Sequence, residues 1–509
     1  MITANPARNI LIMGGILLLG SIGLLSALNE GQKTDNRPGE RTLVLYTAAG
    51  IKGPVQAAVD QYQRETGRRV QIEYGGSGTL LAKLDITRMG DIYIAGDDSF
   101  VQKAHEKNIV REIIPLAEMK PIILVAEGNP KQITSLEDLL REDVKTALGN
   151  PEAAAVGKMV KGVFTQMGRW EDMQAAIRDR GVNKPTVNEL ALDVSLGSVD
   201  AAVVFDPMLA LFEGVEAVSD PRLDAKSQQV TLGVMENASK PAAALHLARF
   251  LAAQDRGLPH FAENGFSPAE GDRWSETPVI EFYSGSVNRV SIDEKIREFE
   301  AREGVEVNMV YNGCGILVSQ MRAGAEPDAY FACDTTYMDD VFEQFRDHQM
   351  VTETDMVLVT AKGNPKQITT LQDLTREDVR VATSNPEYSA LGGLTHELFR
   401  HAGLYDQILP RITYGDAPTA DTVLLRVRTG REDAGIVYRA NVLGMPDEVE
   451  ILDIDHPRAV AGQPVAVAVG TDYPRLMDRL IAKLVDPSMQ DLYESSGFRY
   501  KVGTEMPQR

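Results

Sequence analysis

The chain has 509 residues, enough for several separately cored domains. Charged residues make up 25% and hydrophobic ones 43%, the composition of a folded globular protein. Lys and Arg number 52 against 73 Asp and Glu, a net charge of −21, which excludes the basic surface a nucleic-acid binder needs. Two cysteines are too few for a disulfide-built scaffold, and no Cys/His run has zinc-site spacing.

The chain opens with Arg8 and then an uncharged apolar run, residues 10–28 (ILIMGGILLLGSIGLLSAL). Residues 1–28 read either as a signal peptide or as a membrane anchor. The candidate cleavage site Ser26-Ala27-Leu28 matches A-x-A poorly, so both readings stay open. Either one exports the remainder. Residues 29–41 (NEGQKTDNRPGER) are polar, contain Pro and Gly, and read as a tether.

Beyond the tether the sequence repeats itself. GNPKQITSLEDLLREDVK at Gly128 to Lys145 returns as GNPKQITTLQDLTREDVR at Gly363 to Arg380. Asp91-Ile-Tyr-Ile-Ala-Gly-Asp97 returns as Asp328-Ala-Tyr-Phe-Ala-Cys-Asp334, and Asn150-Pro-Glu152 as Asn385-Pro-Glu387. Asp200-Ala-Ala-Val-Val-Phe205 returns as Asp433-Ala-Gly-Ile-Val-Tyr438. The period is far too long for a solenoid, so these are two copies of a whole domain. Module 1 covers residues 42–277 and module 2 residues 278–503, with 504–509 a tail. The join at Trp274 to Pro278 is short, which predicts that the modules sit close together.

Each module alternates strand and helix. In chain order, module 1 predicts a strand LVLYTA, a helix GPVQAAVDQYQRET closed by Gly67, a strand RVQIEY, a helix GTLLAKLDI and a strand DIYIAG. Module 2 repeats this as VIEFYS, SIDEKIREFEARE, VEVNMVY, GILVSQMRAG and DAYFAC. Further strands begin in PIILVAEGNP and MVLVTAKGNP, and late amphipathic helices in KPAAALHLARFLAAQ and YPRLMDRLIAKLV. Repeated βαβ units predict α/β lobes with open, mainly parallel sheets.

In such sheets ligands bind beyond the strand ends, where helix N-termini offer unpaired N–H groups. The loops there are small and hydroxyl-rich: Thr47 to Gly50 and Ser284 to Ser286, then Gly75-Gly-Ser-Gly78 and Asn312-Gly-Cys-Gly315. Glycine admits close backbone approach, and hydroxyls with N–H groups suit a small oxyanion without any cation.

On these motifs, taken in order and twice over, each module resembles the periplasmic molybdate-binding proteins of the ABC-transporter solute-binding class. The likeness covers Leu43 to Phe266 and Val279 to Phe498. It implies two doubly wound α/β lobes per module, joined by a hinge in the periplasmic-binding-protein (Venus-flytrap) manner. It also implies an extracytoplasmic location, a tetrahedral oxyanion ligand (molybdate or tungstate), an ABC permease as partner, no cofactor, no metal centre and no catalytic residues. Residues 10–28 would supply any membrane anchoring. By position, the first ligand hydroxyl falls on Gly50 in module 1 and Ser286 in module 2, and the second on Ser77 and Cys314. Backbone donors fall on Val156 and Leu391 and on Val187 and Ala420. The ligand tyrosine falls on Phe205 and Tyr438. Thr47, Ser284 and Gly315 complete the candidate loops. Module 1 lacks one hydroxyl and the phenol, so module 2 is expected to be the better oxyanion site.

Other features carry competing readings. His396 to His401 (HELFRH) spaces its histidines at i and i+5, off one helix face, which argues against zinc. Cys314 and Cys333 both fall at strand ends and read as free thiols, a disulfide or a soft ligand. Asp97 and Asp334 read as helix caps. A membrane-anchored ligand sensor and a ferric-ion binder are the alternative functions. The sensor lacks a cytoplasmic signalling segment, and the ferric reading lacks a late tyrosine pair.

Overall fold

A computed structural model of the chain describes residues 42–413, 417–445 and 447–505. The signal or anchor segment and the tether lie outside the described residues. Among those described, no helix is long and apolar enough to cross a membrane.

The first lobe of module 1 is built on a six-stranded sheet in the order Ser267–Pro268, Val110–Met119, Gln228–Met235, Ile92–Ala95, Leu43–Ala48, Val70–Gly75. The second lobe has five strands, ordered Val182–Lys184, Thr146–Gly149, Ala201–Phe205, Pro121–Ala126, Val215–Val218. The βαβ strands are parallel as expected. The sheets are mixed rather than mainly parallel, because strands that carry the chain between lobes run against them. Gln228–Met235 returns from the second lobe and pairs antiparallel with both Ile92–Ala95 and Val110–Met119.

Module 2 repeats the plan with one difference. The two strands Val110–Met119 and Pro121–Ala126 become one 17-residue strand, Phe345–Ala361, which joins both lobes into a ten-stranded sheet. In module 1 the ladder breaks at Lys120, where Pro121 has no N–H to donate.

The helices follow the sequence pattern. Lys52–Thr66 buries Val55, Ala58, Val59 and Tyr62 on one face and ends at Gly67, whose φ of 74° suits glycine. Its counterpart Arg289–Glu303 buries Ile292, Ile296, Phe299 and Glu303 and ends at Gly304. Each module has its own hydrophobic core.

The modules are locked together through their first lobes. Arg302 forms a two-pronged ion pair with Glu112, both bonds 2.8 Å. The buried Glu303 carboxylate accepts from Arg479 at 2.7 and 3.0 Å, and Arg249 of module 1 donates to the Glu303 carbonyl. Burial alone would raise the Glu303 carboxyl; the two arginines overcome it and hold it below the usual carboxylate range. Asp272, just before the join, accepts from the backbone N–H groups of Arg475 and Leu476 and so caps helix Pro474–Leu484 of module 2.

Candidate functional site

In each module four helices begin at the cleft between the lobes. In module 1 they start at Ala49, Ser77, Ala155 and Val187. In module 2 they start at Ser286, Cys314, Ala390 and Ala420. First-turn N–H groups have no acceptor within the helix and carry its positive end. Seven of the eight preceding residues make no side-chain capping bond; Thr186, which accepts from Glu189 N, is the exception. Some of these donors are taken up locally, as Ile316 N is by Gly313 O and Gly392 N by Ser389 O, and the first-turn groups that keep no acceptor are left to the cleft.

Both clefts are closed, and glycines make the closure possible. Gly78 N donates to Ala153 O across the module 1 cleft at 3.3 Å. A Cβ on Gly76 would lie 2.2 Å from Ala153 O, and one on Gly313 would lie 2.3 Å from Tyr388 O. The predicted Gly315 has the same role, since its Cβ would meet Glu387 O at 2.3 Å. Tyr337 OH adds a bond to Pro386 O at 3.4 Å. Burial and the nearby Asp334 push this phenol up to about 12, so it stays a donor.

Strand register fixes which residues correspond. Ala48 pairs with Gly75 as Gly285 pairs with Asn312, and Leu45 with Ile92 as Phe282 with Ala329. The residue opposite Ser286 is therefore Ala49, and the assignment to Gly50 is one position late. Gly50 faces a different need: a Cβ there would lie 2.5 Å from Val187 Cγ1.

Three further assignments change. Cys314 is bonded to Cys333, so its sulfur has no proton to donate. Cys333 stands where Gly96 stands in module 1, and Gly285 leaves room for it: a Cβ there would lie 2.5 Å from Cys333 Sγ. Ser284 is fully buried and engaged inside the lobe, donating to Gly285 O and accepting from Asn288 Nδ2. Thr47 is likewise fully buried and does not line the module 1 cavity. Ser77 does line it; its Oγ accepts from Gly96 N at 3.2 Å, which leaves the hydroxyl proton to donate. Val156, Val187 and Phe205 also line that cavity. Leu391 and Ala420 sit in the first turns of their helices, and Tyr438 ends its strand, buried. Asp97 and Asp334 are helix caps, accepting from Ser99 N and Thr336 N. His396 is buried against Tyr405 while His401 is exposed.

The cavity in module 1 is small, about 40 Å³, and almost wholly apolar. It is lined by Ala48, Ala49, Ile51, Gly75, Met119, Ala154, Phe205 and Met208 among others. By the same registers and helix starts, module 2 has Ser286 for Ala49, Asn288 for Ile51, Asn312 for Gly75 and Thr354 for Met119. It has Ser389 for Ala154, Tyr438 for Phe205 and Asn441 for Met208. Sequence reading missed Asn312 and Ser389. Asn312 Oδ1 accepts from Gly313 N, which orients its NH2 as a donor, and Ser389 makes no capping bond. Helix-start register was the signal, and it becomes legible only once the cap positions are known.

The model of the bacterial extracellular solute-binding proteins matches the chain twice, over residues 43–267 and 280–499. The chain belongs to that family, as a tandem duplication. A Haemophilus influenzae protein named simply as a binding protein is 32% identical over 230 residues, 45% of this chain and 91% of that one. The molybdate-binding protein ModA of Mycobacterium bovis is 29% identical over 200 residues, 38% of this chain and 74% of that one. The solved structure of the Azotobacter vinelandii periplasmic molybdate-binding protein aligns with 45% of this chain and all of its own, at 17% identity and a TM-score of 0.40. Each of these matches is the size of one module.

Proposed function

We propose that the chain captures a tetrahedral oxyanion, molybdate or tungstate, in the module 2 cleft and delivers it to an ABC importer. The observation that carries this reading is the convergence of four helix N-termini on a cleft whose lining positions, by register with the module 1 cavity, hold Ser286, Asn312, Ser389 and Tyr438. Every one of these groups can donate a hydrogen bond, and none is a cation. A dry, donor-lined pocket stabilises a small anion through aligned dipoles despite the net charge of −21. The molybdate-binding relatives support the choice of anion, and membership of the solute-binding family supports the delivery role.

The test is titration of the full chain with molybdate, tungstate, sulfate, phosphate and ferric iron, read by calorimetry and thermal shift. Molybdate or tungstate should bind tightest and raise the melting temperature. Binding of ferric iron alone, or of no oxyanion, would overturn the reading.

A further inference from the structure

We propose that module 1 is held closed by its own apolar lining and takes no oxyanion, so that each chain captures one ligand. The second clause rests on the oxyanion reading of module 2; the first does not.

Closing a cleft removes both of its faces from water, and the nature of those faces decides whether closure is favourable by itself. In module 1 the first lobe contributes Ala48, Ile51 and Met119, and the second contributes Val156, Val187, Phe205 and Met208. All seven are buried. Apolar faces meeting in this way favour closure without any ligand. Val187 goes further and reaches across the cleft: only glycine at position 50 leaves space for its methyl. The side chain from one lobe is thus seated against the backbone of the other.

Module 2 reverses these signs. Where Ile51, Met119, Phe205 and Met208 stand, it has Asn288, Thr354, Tyr438 and Asn441. Asn288 is 1% exposed; its NH2 donates to Phe331 O and Ala332 O, and its Oδ1 has no hydrogen-bond partner. Asn441 donates to Asp421, and its buried Oδ1 also has no partner. Burying polar groups without partners opposes closure, and module 1 has one such atom at its cleft, Asn188 Oδ1 beside Gly50, against two in module 2. Module 2 therefore needs something polar in the cleft to stay shut, whereas module 1 does not. The same two-lobed frame is ligand-gated in one copy and self-sealing in the other, and the lining side chains make the difference.

Distances between spin labels on the full chain test this. One pair, Gln102→Cys with Lys161→Cys, spans the module 1 lobes on exposed positions. The other, Arg322→Cys with Glu397→Cys, spans the mouth of module 2. Without ligand, the module 1 pair should give one narrow distance and the module 2 pair a broad one. Molybdate should shorten the module 2 distance and leave the module 1 distance unchanged, with calorimetry giving one site per chain. A module 1 distance that shortens with molybdate, or two sites per chain, overturns the proposal while leaving the oxyanion reading intact. No response of module 2 to any oxyanion overturns the oxyanion reading, and the module 1 distance still decides the self-sealing claim. The variant Met119→Thr/Phe205→Tyr/Met208→Asn should broaden the module 1 distance; an unchanged narrow distance would show that the lining does not hold it. If that variant fails to fold, Met208→Asn alone carries the same test.

Discussion

Modules 1 and 2 share strand order, helix starts and glycine contacts, yet about half of the side chains that line their clefts differ in chemistry. Backbone donors recur in both because they belong to the fold: a helix that begins at the cleft presents its N–H groups whatever its side chains are. Ser77 and the Cys314–Cys333 disulfide show the contrast at one position. Ser77 Oγ accepts from Gly96 N, and Cys314 Sγ accepts from Cys333 N at 3.1 Å, so the supporting bond is kept while the donor proton is lost. A fold can thus conserve the frame of a cleft while its two copies diverge in the side chains that line it.

The sharpest way to break this contrast is through the glycines. Gly313→Ala places a Cβ against Tyr388 O and should abolish oxyanion binding in titrations of the full chain. Gly76→Ala obstructs module 1 in the same manner and should leave the affinity unchanged. Equal losses in both variants would show that both clefts bind. Next in size is the junction. Glu303→Ala strands the Arg479 charge and removes the carboxylate beside Arg249, and should destabilise the chain by about 3–5 kcal/mol in chemical denaturation. If the modules fold independently, the loss should appear as a separation into two unfolding transitions. Tyr438→Phe makes module 2 resemble module 1 at that site. It should weaken molybdate binding about tenfold to a hundredfold, the loss of about 1.5–3 kcal/mol for a hydrogen bond to a charged group. The reciprocal Phe205→Tyr should leave molybdate affinity unchanged. The smallest effect expected is in a helix cap: Asp97→Ala should cost about 1 kcal/mol of stability without changing affinity.

Acid should weigh on module 1 through His246, while burial also lowers His348 and His396 of module 2. His246 in module 1 is buried, its Nδ1 3.0 Å from Tyr62 OH, and burial lowers it from 6.5 to about 3. The folded state keeps it neutral while the unfolded state takes up a proton below about 6.5. Its contribution is complete above that pH and is lost progressively as the pH falls toward 3. His246→Gln should flatten the acid limb of a stability profile over that window; an unchanged limb would assign the acid sensitivity elsewhere.

Periodicity and repetition made most of the fold legible. Strand LVLYTA is Leu43–Ala48, and the helix that the sequence ends at Gly67 ends there. The strongest repeat, GNPKQIT followed by L-x-D-L, turned out to be structural. Asn129 and Asn364 take positive φ and bond to Ile133 O and Ile368 O, and Ser135 with Asp138 and Thr370 with Asp373 form capping boxes. High identity there marks a turn that needs those residues. The site was harder to read, because correspondence between modules depends on where a 3-10 turn begins. One residue separated Gly50 from Ala49, and that shift hid the exchange of Ala49 for Ser286. The disulfide was undecidable from spacing, since it depends on a Cα separation of 6.4 Å set by two different elements.

The uninterrupted strand Phe345–Ala361 has a mechanical consequence. In module 1 the crossing strand leaves the ladder at Lys120, whose N–H and carbonyl are held by Asp206 instead, so bending can concentrate there. In module 2 the crossing strand pairs with Val460–Ala468 up to Asp355 and with Ala434–Tyr438 from Met356 onward. Any swing of one lobe must twist this shared strand and be spread along two hydrogen-bonded ladders. The module that takes the ligand would thus move against an elastic restoring torque, like a torsion bar, and its rate of opening would be set by the stiffness of a β-ribbon.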